Sequence, residues 1–394
     1  MKRRTFLRSG LAGAAGLATI NHTALAGDIP ASQEIIYRTL GKTGLKVPVV
    51  SFGVMRSDNN ALVKAAYEGG MRMFDTAHGY MNGRNEEMLG SFFESVPRDS
   101  FILATKVKPA GVDSRTGLPS KETTAEDFLA KFELSLTRLK MDYVDILYMH
   151  AADSAEIVRH KEITSAMLDL KKKGKARFIG VSTHKNEPLV IRTMVEEGIW
   201  DVVLTSYNFN LAHLDDLNSA LESANKAGLG VVAMKTMAGG FLDKEKTKAV
   251  NPQAALKWAL SNPNVHTTIP GMTTFDHVNA DLKVLADITL TAEEKSGLIA
   301  AAASGGLYCN ACQNCLKGCP ANLPIPEMMR AYMYAYGYGN LAMASDLLRE
   351  TTDATSDPCT LCETCSAECI KGFDLKGKIT DIARLKHVPY DLIA

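Results

Sequence analysis

Eight short apolar, β-branched runs recur between residues 49 and 270, and each is followed by a segment with helical period. The runs are Val49–Val54, Met71–Thr76, Phe101–Val107, Tyr143–His150, Arg177–Thr183, Val202–Asn208, Val231–Met237 and Thr267–Pro270. Between the third and fourth, Phe128, Phe132, Leu136 and Leu139 mark one face of a helix. Thr124, with Asp127 three residues on, has the form of a capping box at its start. Gly174, after Lys171-Lys172-Lys173, is placed to end the next helix behind a cationic last turn. Eight strand–helix units over roughly 250 residues is the size of a closed (β/α)8 TIM barrel. The competitor, a doubly wound open sheet, expects a G-x-G-x-x-G after an early strand, and none is present. The sequence therefore predicts an α/β barrel over 35–299. A hydrophobic content of 46% is enough to fill it. The 44 basic residues are matched by 44 acidic ones, so no cationic footprint argues for nucleic acid. No stretch of 18 apolar residues exists to span a membrane.

In such a barrel the chemistry sits at the C-terminal ends of the strands. Those positions hold Asp75 after the second run, Lys106 at the end of the third and His150 at the end of the fourth, with Tyr80 in the loop after Asp75. Singly, each has a bland reading, as a cap, a surface lysine or a core histidine. Converging on one mouth, they form a set of complementary chemistry. With Phe-Asp-Thr-Ala-His-Gly-Tyr (74–80), Gly83-Arg84-Asn85-Glu86, Ala-Thr-Lys (104–106), Tyr-Val-Asp-Ile-Leu-Tyr-Met-His (143–150) and Ile-Gly-Val-Ser (179–182), the chain resembles the aldo/keto reductase family over about residues 35–285. The resemblance implies that Asp75, Tyr80, Lys106 and His150 are a catalytic tetrad. Reduction of a carbonyl needs a proton donor where negative charge develops on oxygen. Tyr80 is the expected acid–base, and Lys106 is expected to lower its pKa. Asp75 supports Lys106, and His150 hydrogen-bonds the carbonyl.

The same resemblance places a barrel-bound NADP(H) against Ser182, Thr183, Met234, Lys235, Gly271, Thr273 and Thr274. Here the sequence departs from the family pattern. Thr183 stands in for an asparagine, Leu204 for a glutamine, and Met234 for a stacking aromatic. Gly271–Thr274 replace the usual cations, although backbone amides at a helix start bind phosphate.

All eight cysteines fall between residues 309 and 369, which marks a site rather than general packing. Cys309, Cys312, Cys315 and Cys319, followed by Pro320, read C-x2-C-x2-C-x3-C-P, and Cys359, Cys362, Cys365 and Cys369 repeat the spacing. This is the bacterial-ferredoxin run for 4Fe-4S clusters, whose fourth cysteine ligates the other cluster. The expected sets are Cys309, Cys312, Cys315 and Cys369 for one cluster, and Cys359, Cys362, Cys365 and Cys319 for the other. Structural zinc and disulfides are the alternatives. Residues Pro324–Arg349 read as one helix between the runs, carrying Tyr332, Tyr334, Tyr336 and Tyr338 as packing residues. The sequence thus predicts a mainly helical two-cluster ferredoxin-like domain over 300–394, joined by a linker at Ala300–Gly306.

Residues 1–26 read as an address. Arg3-Arg4, a mildly apolar run and Ala24-Leu25-Ala26 resemble a bacterial twin-arginine signal, which exports proteins already folded. The expected protein is a periplasmic oxidoreductase on a small carbonyl or alcohol substrate, exchanging electrons with an external partner. The other reading is an exported iron–sulfur electron-transfer or binding protein whose barrel no longer uses nicotinamide.

Overall fold

The computed structural model describes residues 34–304, 306–351, 359 and 362–393, so the export signal expected over 1–26 lies outside the described residues. Eight parallel strands follow in chain order: β1 (Phe52–Gly53), β2 (Met73–Asp75), β3 (Ile102–Val107), β4 (Val144–Met149), β5 (Ala176–Thr183), β6 (Val202–Ser206), β7 (Gly230–Met234) and β8 (Thr267–Thr268). Backbone hydrogen bonds from Ser51 to Thr268 (2.8 Å) and from Gly53 to Pro270 (3.0 Å) join the first strand to the last. This closes the barrel, so no interior strand edge is left exposed. A short antiparallel hairpin, Tyr37–Thr39 with Lys46–Pro48, packs Leu40 and Val47 into its N-terminal end.

Strands covered on both faces read as continuous apolar runs. Side-chain alternation then decides which residues face inward. Met73, Ile102, Ala104, Ile146, Tyr148, Val202, Leu204, Val232 and Met234 fill the interior. Two residues on from Met73 and Ala104, the same parity brings Asp75 and Lys106 inward at the C-terminal rim. The opposite parity packs Phe74, Leu103, Leu147 and Val203 against the helices. Among these, Ala125–Leu139 buries Phe128, Phe132, Leu136 and Leu139, and Thr124 caps it by accepting from the Asp127 amide.

The C-terminal region is helical and packs on the barrel mouth as part of the same apolar core. Two expectations are corrected. The stretch Pro324–Arg349 is two helices, Ile325–Tyr336 and Leu341–Thr351. The chain turns at Gly337 and Gly339, the latter at φ 67°, and Asn340 caps the second helix by accepting from the Met343 amide (2.9 Å). The expected linker is also shorter, because Ala292–Ala303 is one helix that takes in Ala300–Ala303. Alanine is the best helix former, so the run extends the helix until Ser304.

Candidate active site and cysteine centres

Lys106 is the hub of the barrel mouth. It is 1% exposed, and its ammonium donates to the Asp75 carboxylate, to the Thr76 carbonyl (2.6 Å) and to the Tyr80 hydroxyl (3.2 Å). All three of its protons are thereby assigned. Tyr80 opens a tight turn, Tyr80–Gly83, in which Met81 and Asn82 take positive φ. Buried Asn85 holds that turn in place. Its amide donates to the Val54 and Ser57 carbonyls (2.8 and 2.6 Å), and its carbonyl accepts from Thr76 (2.7 Å). Glu86, also buried, accepts from Thr105 (2.7 Å). His150 completes the group, its ring edge-on to Tyr80 with centroids 5.9 Å apart.

The charges follow from burial and proximity. Burial alone would lower the Lys106 pKa, but Asp75 and Tyr80, by charge and hydrogen bond, together outweigh it and keep the ammonium above its ordinary range. Burial raises the Tyr80 phenol above 10, and the pull of Lys106 offsets only part of the rise. This corrects the expected lowering, because the cost of a buried phenolate is larger than one nearby cation repays. Burial, then Lys106, Lys108 and Arg330, hold His150 well below 6.5, so its imidazole is neutral.

The residues expected to hold nicotinamide are dispersed. Ser182 and Thr183 are fully buried. The Ser182 hydroxyl accepts from the Ala151 amide (3.1 Å), and the single hydroxyl proton of Thr183 is shared between two acceptors, the Asp153 carboxylate and the Lys185 carbonyl (2.9 and 2.8 Å). Met234 belongs to the interior layer, while Lys235, at φ 56°, reaches His184 Nδ1 (2.8 Å). Thr274 caps the helix Phe275–Val284, Thr273 contacts His277, and Gly271 lies beside Arg56.

The helix Ile325–Tyr336 lies over this mouth. Its Glu327 pairs with Arg330 and with Lys185 (3.1 Å), and its Tyr334 and Arg330 are near enough to act electrostatically on Tyr80 and on each other. Arg56 donates to the Tyr338 carbonyl (2.6 Å) and covers the Tyr338 ring. Tyr308 is buried with its hydroxyl beside Ser206 and Asn208. Sequence reading missed Arg330, Glu327, Lys185, His184 and Tyr308. The one available signal was a pair of charges, Glu327 and Arg330, amid the apolar Ile325, Met328, Met329 and Tyr332.

Beyond that helix, Cys309, Cys312, Cys315 and Cys369 line one cavity with Ile325, Pro326 and Phe373. Burial pushes the Cys309 thiol up to about 12 and the Cys315 thiol to about 11. Bare thiolates are costly there, and a cationic iron core is the partner that offsets the cost. The two cysteine runs touch where Ser366 donates to the Gly318 carbonyl (2.7 Å), an approach a side chain at Gly318 would block. Among the described residues no disulfide joins any two of these cysteines.

Each of the two parts matches a known family of its own. A family model described as "Aldo/keto reductase family" matches residues 50–254. The chain belongs to that family. A model of the 4Fe-4S dicluster domain matches residues 308–374. This aldo/keto reductase is 29% identical over 300 residues to L-galactose dehydrogenase of Arabidopsis thaliana, covering 65% of this chain and 89% of the relative. It is 25% identical to L-glyceraldehyde 3-phosphate reductase of Escherichia coli K12, over 66% of this chain and 90% of that one. The holo form of an aldo-keto reductase from Bacillus halodurans shares the fold, with a TM-score of 0.55 over 68% of this chain and 96% of its own, at 24% identity.

Proposed function

We propose that this protein interconverts a carbonyl and an alcohol at Tyr80 and exchanges the electrons through two 4Fe-4S clusters. The observation that carries this reading is the buried Asp75–Lys106–Tyr80 chain beneath a helix of the cysteine-bearing domain. In the reducing direction an external donor supplies a hydride equivalent, two electrons and one proton, to the carbonyl carbon, and Tyr80 gives its proton to the oxygen on which charge develops. The Lys106 ammonium stabilises the phenolate left behind, and Asp75 fixes that ammonium. Neutral His150 orients the carbonyl by hydrogen bond.

Cys309, Cys312, Cys315 and Cys369 hold one cluster in this reading, supported by the cavity they share. Cys319, Cys359, Cys362 and Cys365 hold the other. The clusters supply one-electron storage for an external partner. Cys309 lines both its own cavity and the cavity at the barrel mouth, which supports electron exchange between the two sites.

NADP(H) is the hydride carrier that the family resemblance implies. The residues present do not form its nicotinamide clamp, since Thr183 is committed to Asp153 and Tyr308 fills the space beside Ser206 and Asn208. No step is therefore routed through it. These two observations favour the second reading, an electron-transfer or binding protein whose barrel has given up nicotinamide. The Arg3-Arg4 segment supports export, folded and loaded, to the periplasm.

The test is turnover by anaerobically purified holoprotein on a panel of aldehydes and ketones, with NADPH or a reduced viologen as donor. We expect turnover with one of these donors and a loss of at least ~100-fold in Tyr80→Phe, the scale of a lost general acid, with iron content unchanged. Undiminished turnover in Tyr80→Phe would sink the mechanism. Full iron without turnover from either donor would give the second reading the lead.

A further inference from the structure

The barrel mouth holds cationic groups that the tetrad does not use. A small cavity lies between the barrel rim and the helix Ile325–Tyr336, lined by His184, Lys235, Tyr308, Cys309, Glu327 and Arg330. We propose that this cavity binds the anionic group, a carboxylate or a phosphate, of a small substrate whose carbonyl sits at Tyr80 and His150. The inference rests on Tyr80 as the reacting site.

Three observations carry it. The first is a buried lysine with no ion-pair partner at contact distance. Lys235 Nζ is 2.8 Å from His184 Nδ1, and among the described residues no carboxylate lies within 4.0 Å of it. Glu327, the carboxylate of the cavity, is already shared between Lys185 and Arg330. Burial and then Arg330 push Lys235 down to about 7, against the weaker pull of Glu327, Asp153 and Glu187, none of which pairs with it directly. The second is an unspent donor. Arg330 Nε is buried without a hydrogen-bond partner, on a guanidinium whose planar fork suits carboxylate and phosphate alike. Lys106 cannot serve, because its three protons are assigned.

The third is scale. The ring centroids of Tyr80 and His150 are 5.9 Å apart, as are those of His150 and His184, so the cavity begins one ring beyond the tetrad. A short oxo or hydroxy acid, or a small sugar phosphate, spans that gap. Lys235 is held there by a backbone at φ 56°, a conformation that costs a lysine and is kept where the surroundings enforce it.

The test is calorimetry on the cluster-loaded, anaerobic protein with oxalate, inorganic phosphate and acetamide as probes, alongside turnover on matched charged and uncharged carbonyls. We expect oxalate or phosphate to bind at least ten times more tightly than acetamide. We also expect that binding to fall at least tenfold in Arg330→Gln and in Lys235→Met. The second variant keeps the Glu327 pairs intact, so it reads the site even if Arg330→Gln fails to fold. Preference for oxalate assigns a carboxylate, and preference for phosphate assigns a phosphate ester. Anions no better than acetamide, or binding unchanged in both variants, overturns the proposal. Turnover on uncharged carbonyls without anion binding removes this inference alone. Anion binding without any carbonyl turnover keeps the cavity as an anion site and removes the Tyr80 reading instead.

Discussion

Lys106 shows how one buried charge organises a reaction centre. Its position in β3 turns it inward, and the ion pair with Asp75 keeps it charged in a place where burial alone would neutralise it. Replacing it with methionine leaves the buried Asp75 carboxylate unpaired and the phenolate unsupported. We expect Lys106→Met to lose activity at least ~100-fold and to lower stability by about 3–5 kcal/mol, the cost of breaking a buried pair, read by turnover and thermal unfolding. The pH profile has a definite sign. Tyr80 acts as an acid, so its protonated form is the active one, and its pKa is raised above 10. His150 is held well below 6.5 and does not change charge in the neutral range. On an uncharged carbonyl, whose binding does not draw on Lys235, the reduction rate should stay flat from about pH 7 to 9 and fall only above 10, where Tyr80 loses its proton. A decline centred between pH 7 and 8 would mean that another group titrates in the step.

Among the elements, two helices carry strain that can be measured. The helix Phe275–Val284 buries Asp281 at 4% exposure, and burial raises its carboxyl from 3.8 to about 8. The folded chain therefore keeps a proton there that the unfolded chain releases near pH 4. Stability from this group is lost as pH rises between those two values. Asp281→Asn removes the dependence, so its gain in melting temperature over the parent should be larger at pH 8.5 than at pH 5. Equal gains at both pH values would show that Asp281 is not protonated in the fold. At the end of the helix Ile325–Tyr336, a Cβ on Gly337 would come within 2.6 Å of the Gly239 carbonyl in the loop after β7. Gly337→Ala should therefore destabilise the seat of this helix on the barrel by about 1–3 kcal/mol, seen in denaturant unfolding.

For the whole molecule, the two domains share one apolar core, and ion pairs such as Lys108–Glu350 (2.6 Å) and Lys244–Asp381 (2.8 Å) cross the junction. The crossed ligand pattern makes a prediction at this scale. Cys315→Ser should remove one of two clusters, lowering iron from about eight atoms per chain and leaving one reduced-cluster signal in electron paramagnetic resonance. Two intact signals would overturn the ligand sets. Because Cys309 borders the barrel mouth, loss of that cluster should also impair turnover more than the matching Cys362→Ser change does.

The sequence alone determined the barrel, since eight buried runs have a period and spacing that few folds accommodate, and all eight strands fall within or one residue from those runs. It also determined the two cysteine runs, because cluster ligation demands short, fixed spacing along the chain. The tetrad was legible as residue types at strand ends. The tertiary structure decided what spacing cannot encode. The helix Ile325–Tyr336 lies far along the chain from the rim it covers, so the meeting of Arg330 with Lys235 and His184 is set by packing. Thr183 looked available to a cofactor until its hydrogen bond to Asp153 was seen. The pKa of Tyr80 turned on burial, a property of the surrounding three-dimensional packing, which opposes a charge that the neighbouring lysine favours.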